Sequence, residues 1–152
     1  MTSDGTEGRA GDDTAPPALV EHRAEVGLRP NDFDWAGHLN NSVYPQLMET
    51  GRWEWGLANK VDLRDSTLVA VVLQLQLDYL KAVDWDPVGR LFVRTSLAGQ
   101  TAYSFTLAQD IELADGTVAA RGRVRLGLVD RETKAIHRAD LGALLDTRGR
   151  AA

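Results

Sequence analysis

The sequence predicts an α+β fold in which one antiparallel sheet curls around one long helix. Tyr44, Leu47, Met48, Gly51 and Trp55 recur at helical spacing, the stripe of a helix with one face on a core. From residue 67 onward, apolar and polar residues alternate in segments separated by Asp, Gly and Pro turns, the pattern of strands joined by short connections. The length of 152 residues with 43% hydrophobic content suits one domain with a core of its own.

Taken in order, residues 1–17 (MTSDGTEGRAGDDTAPP) offer almost nothing to bury and are expected to form a disordered arm. A single domain over 18–147 and a flexible tail over 148–152 follow. The first strand is expected over 19–29, where alternation ends at Pro30 because proline has no N–H to pair. A loop over Asp32 to Leu39 then feeds a helix beginning near residue 42. Asn40, Asn41 and Ser42 can accept from the orphan N–H groups of its first turn, and Pro45 sits where a missing N–H costs little. Gly51 costs about 1 kcal/mol against alanine inside a helix, which implies that a sheet approaches its backbone closely.

Residues 60–66 read as a turn and 67–80 as a long strand with clean alternation at Leu73, Leu75 and Leu77. The Asp- and Pro-containing turn at 84–89 leads to a strand over 90–98, a GQT turn and a strand over 102–113. Asp115-Gly116 predicts the next hairpin. In the strand over 117–130, Val124, Leu126 and Leu128 alternate with Arg121, Arg123 and Arg125, giving an aliphatic inner face and a basic outer one, with Gly122 marking a bulge. A short helix is expected over Ala139 to Leu145. One such layer leaves a sheet edge uncovered, so a dimer that continues the sheet is expected.

Composition narrows the chemistry. The net charge of −5 argues against a partner held by a general basic surface, such as nucleic acid. With no cysteine, disulfides, thiolate nucleophiles and thiolate metal sites are excluded. Three scattered histidines lack ligand spacing, so neither a metal nor another cofactor is expected. No apolar run approaches the roughly 20 residues that cross a bilayer, and a cytoplasmic location is expected.

The stretch DFDWAGHLNNSVYPQLMETGRWEW, Asp32 to Trp55, holds the densest set of reactive groups in the chain. A carboxylate just before a helix is kept ionised by the helix dipole and can attack a carbonyl or deprotonate a water. The N–H groups of the helix start can stabilise the oxyanion that forms. Asp32 and Asp34 are the two carboxylates in reach, and either can instead close a local turn on its own backbone. His38 can orient a water or protonate a leaving group. Asn40 and Asn41 can cap the helix or, with Tyr44, contact substrate. Glu49 and Arg52 can pair at i, i+3 on a solvated face. Trp35, Trp53 and Trp55 either line a pocket or belong to core or interface.

DFDWAGHLNNSVY followed by METGR resembles the signature of the hotdog-fold thioesterases, in particular the 4-hydroxybenzoyl-CoA thioesterase-like group and the acyl-ACP thioesterases. The resemblance runs over about residues 20 to 135, with LDYLKAV, DPVGRLFVRTSL and DGTVAARGRVRLGLVD matching in order and spacing. It implies a hotdog fold, with the sheet wrapped around the helix. It implies hydrolysis of a thioester on coenzyme A or acyl carrier protein, and a homodimer or homotetramer with the pocket between subunits. The family's catalytic aspartate falls on Asp34, the histidine of its Gly-His motif on His38, and a helix glutamate of the acyl-ACP branch on Glu49. Where that branch has an asparagine two residues after the aspartate, this chain has Ala36. Arg94, Arg121, Arg123 and Arg125 can meet the phosphates of the carrier. Two other readings stay open: a dehydratase or hydratase on the same fold, and a non-catalytic protein that binds acyl thioesters.

Overall fold

The computed structural model describes residues 19–61, 63, 64 and 66–141. The chain runs β1 (His22–Val26), a 3-10 turn (Pro30–Asp32), α1 (Tyr44–Ala58), β2 (Leu68–Tyr79), β3 (Leu91–Gln100), β4 (Phe105–Leu113), β5 (Val118–Asp130) and β6 (Ile136–His137). All pairings are antiparallel, in the order β1-β3-β4-β5-β2, with β6 on β5. The α+β arrangement expected from the alternating segments is therefore present, with one long helix against one sheet.

The helix seats where the sheet has no side chain to keep it away. A Cβ at Gly51 would lie 2.5 Å from Cγ1 of Val93 on β3, so glycine there lets α1 approach, as its position in the apolar stripe implied. At Gly122 on β5 a Cβ would lie 2.4 Å from Cε of Met48. Gly122 is not a bulge: it pairs regularly with Gln109 and Leu77, and it is small because Met48 fills the space above it. The register shifts fall elsewhere, between Val72 and Gln74 of β2, between Leu97 and Gly99 of β3 and between Ile111 and Glu112 of β4. Met48, Leu91, Val93, Leu107, Ile111, Val124 and Leu128 form the centre of the core. As the alternation predicts, Val124, Leu126 and Leu128 are buried while Arg121, Arg123 and Arg125 are exposed.

Boundaries differ from expectation for local reasons. β1 begins at His22 because the chain before it is tied to the end of α1: Val20 N–H donates to Asn59 Oδ1, and Asn59 Nδ2 donates back to Val20 O. α1 begins at Tyr44 rather than near 42, because Asn40 holds a separate turn, its Oδ1 accepting from both N–H and hydroxyl of Ser42. β6 was unforeseen. Asp130 folds the chain back, its Oδ1 accepting from Glu132 and Thr133 N–H, and two residues then pair with β5. Of the helix expected over 139–145, residues from 142 on lie outside the described residues, as do the arm over 1–17 and the tail over 148–152. No helix among the described residues is long and apolar enough to cross a membrane.

Candidate active site

The loop between β1 and α1 is shaped by its two aspartates. Asp32 is buried, its carboxylate accepting from the Arg29 N–H at 2.8 Å and from the Arg29 guanidinium at 2.9 Å. The Arg29 side-chain bond holds its pKa below the usual range. Asp32 is therefore a structural clamp. Asp34 is exposed; its Oδ1 accepts from the backbone N–H of Ala36 at 2.9 Å and of His38 at 3.1 Å. Its Oδ2 makes no hydrogen bond among the described residues. Gly37 closes this turn at φ 80, a conformation costly for residues with a Cβ. The loop then lies along residues 83–85: Leu39 N–H donates to Val83 O, and Trp85 N–H to Gly37 O, each at 2.8 Å.

That pairing sets His38 beside Asp84, with Nε2 3.4 Å from Oδ1 and both side chains largely solvated. Asp34, His38, Asn41, Tyr44, Tyr79 and Lys81 line a cavity of about 250 Å³. Tyr44 is buried, and that burial, with Tyr79 nearby, raises its pKa. The two rings meet edge to face at 4.9 Å, and the Tyr79 hydroxyl donates to Asn41 O at 2.9 Å. The backbone N–H groups of Asn41 and Tyr44 make no hydrogen bond to another described residue. Asp34, His38, Asn41 and Tyr44 are thus brought together, with Asn40 acting beside them as a turn clamp. Tyr79, at the far end of β2, carried no local signal in the sequence.

Glu49 stands elsewhere. It lines a second cavity of about 440 Å³ between α1 and the β2–β5 side of the sheet, with Arg52, Trp53 and Trp55 and an apolar floor of Phe105, Leu107, Leu126 and Leu128. Arg52 turns inward, its Nη1 donating to Gln109 Oε1 at 3.1 Å, while Glu49 is exposed, and among the described residues no ion pair joins the two. Gln109 is fully buried, and its Nε2 donates to Met48 O and Thr95 Oγ1, each at 2.9 Å. The sequence did carry a signal for it, since glutamine interrupts the inward series Phe105, Leu107, Ile111. Trp53 and Trp55 line this cavity, whereas Trp35 is 98% exposed at the loop tip.

The arginines considered for phosphate contact divide. Arg94 holds Glu112, and Arg121 holds Asp110; Arg123 and Arg125 form no ion pair among the described residues. No group of three or more metal-ligating His, Cys, Asp or Glu side chains occurs among the described residues.

The chain is similar to known proteins in sequence pattern and in fold. A sequence model described as the thioesterase-like superfamily matches residues 28–145. No curated protein matches by sequence. Among solved structures, the PA2801 protein of Pseudomonas aeruginosa is 24% identical, with a TM-score of 0.69 over 88% of this chain and 98% of that one. A DHNA-CoA thioesterase of Staphylococcus aureus is 17% identical, with a TM-score of 0.73 over 86% and 91%. The SAV2348 protein of S. aureus, solved in complex with CoA, is 14% identical, with a TM-score of 0.69 over 88% and 83%.

Proposed function

The chain belongs to the thioesterase-like superfamily with its α+β hotdog fold, and from that premise we propose that it hydrolyses an acyl thioester of coenzyme A or an acyl carrier protein. The observation that carries the reading is the Asp34 turn. Two backbone donors occupy Oδ1 and orient the carboxylate, and Oδ2 is left to act at the wall of a cavity that also holds His38. As a base, Asp34 takes a proton from water, the hydroxide adds to the thioester carbonyl, the C–S bond breaks, and His38 returns a proton to the thiolate. As a nucleophile, Asp34 adds to the carbonyl, the C–S bond breaks to release the thiolate, which His38 protonates, and water then opens the resulting anhydride to the free acid and the Asp34 carboxylate. In either route the unpaired N–H groups of Asn41 and Tyr44 are the donors available to the oxyanion.

We further propose a dimer, and β2 is the edge we assign to it. Among the described residues this 12-residue strand pairs on one side only, and it exposes Val72, Leu73, Leu75 and Tyr79. Antiparallel pairing of β2 with its copy sets the Tyr79 end of one protomer beside the Leu68 end of the other. Tyr79 belongs to the Asp34 cavity and residues 68–72 to the larger one, so the two cavities adjoin across the two-fold. Glu49, remote from Asp34 in its own chain, then borders the other protomer's site.

The test is thiol release from short, long and aromatic acyl-CoAs by wild type and Asp34→Asn. We expect a folded variant that has lost on the order of 10²-fold or more in kcat. Full activity in Asp34→Asn overturns the assignment. Absence of thiol release from every acyl-CoA and acyl carrier protein substrate leaves the non-catalytic binding reading. In a single turnover in labelled water, label on Asp34 identifies the nucleophilic route.

A further inference from the structure

We propose that the acyl group this protein accepts ends in a carboxylate, and that Arg52, held on Gln109, is the residue that reads it. The reaction rests on the thioesterase reading above; the binding preference does not. Three half-buried arginines occur among the described residues, and they are not treated alike. Arg23 and Arg94 share the buried Glu112. Arg52 forms no ion pair among the described residues, and its hydrogen bond goes to the neutral carboxamide of Gln109. Gln109 spends its own N–H donors on Met48 O and Thr95, which leaves Oε1 fixed toward the guanidinium and the guanidinium fixed in the cavity wall. Burial pulls the Arg52 pKa down, and the charge of Glu49 offsets this in part.

The surroundings define the ligand. The floor is aliphatic and aromatic, so the body of the ligand is apolar, while Arg64 and Arg131 join Arg52 in the lining against the single carboxylate of Glu49. A neutral chain end would take water from Arg52 and return no acceptor, which is costly for a charged group. A fixed guanidinium over an apolar floor matches an ω-carboxyacyl or carboxyaryl group. A carboxylate also suits the planar fork of arginine.

The experiment compares CoA thioesters in pairs matched for length, succinyl against butyryl, glutaryl against pentanoyl and adipoyl against hexanoyl, with wild type, Arg52→Met and Arg52→Lys. The expected result is a wild-type preference in kcat/KM of about 10- to 100-fold for the carboxylated member of at least one pair. That ratio collapses in Arg52→Met and survives in part in Arg52→Lys. A wild-type preference for the methyl-terminated member of every pair overturns the proposal, even if Arg52→Met does not fold. So does an Arg52→Met protein that loses the same factor on both members, which marks a purely structural arginine. Calorimetry with the corresponding non-hydrolysable thioethers separates this from the reaction. Tighter binding of the carboxylated analogues, with no hydrolysis of any of the thioesters, sustains the proposal and sinks the thioesterase reading. Equal binding of both members sinks the proposal alone.

Discussion

Two glycines hold the helix to the sheet, and they are not equivalent. Above Gly51, a new Cβ meets Cγ1 and Cβ of Val93 at 2.5 and 2.8 Å, atoms carried close to the β3 backbone that cannot swing away. Above Gly122, the nearest atom is the terminal methyl of Met48, which can rotate. Alanine at Gly51 recovers about 1 kcal/mol of helix propensity but forces α1 off the sheet, at roughly 1–3 kcal/mol. We expect Gly51→Ala to be destabilising and Gly122→Ala to cost less, measured as urea midpoints with unchanged slopes. The paired aspartates make the same point about context. Asp32 and Asp34 lie two residues apart and both bond backbone N–H groups, yet Arg29 consumes one carboxylate while the other keeps a free oxygen. Local sequence makes both of them turn formers. Only the resemblance of the GHLNN segment singled out Asp34.

At the scale of elements, the β1–β3–β4 side of the sheet is closed by a charge cluster on its outer face. Glu112 of β4 accepts from Arg23 of β1 and twice from Arg94 of β3, and Arg23 also lies 3.7 Å from the centre of the Phe92 ring. Burial alone would raise the Glu112 pKa, but the Arg94 and Arg23 hydrogen bonds and charges outweigh it and bring it below the ordinary 4.5. A depressed folded-state pKa means the unfolded chain binds the proton more tightly. The stability from Glu112 is therefore fully present above about pH 4.5 and is lost as pH falls through the lower folded value. Glu112→Gln should cost roughly 2 kcal/mol at pH 7 and flatten the acid limb of a thermal-melt pH series. An unchanged acid limb would show that the cluster contributes nothing to folding. β5 was legible from its alternation alone, because one face meets a core and the other water. β6 was not, because two residues carry no period and pair only after Asp130 has turned the chain.

For the whole molecule, the uncovered length of β2 makes assembly the central prediction. Leu73→Lys with Leu75→Asp should convert a dimer to a monomer in analytical ultracentrifugation and abolish thiol release, although neither residue lines the Asp34 cavity. A fully active monomer would rule out a site shared between protomers. The sequence by itself determined the fold class, the succession of β1 to β5 and α1 along the chain, the core face of α1 and the segment that carries Asp34 and His38. These follow from periodicity, turn chemistry and a short motif, all of which act between near neighbours in the chain. Tertiary structure alone decided the rest. It placed Tyr79 against Asn41, Gln109 beneath Arg52, and Glu49 in a different cavity from Asp34. Those relations join residues up to 57 positions apart. They depend on which strands become neighbours and how close the helix can sit, and long-range packing sets both.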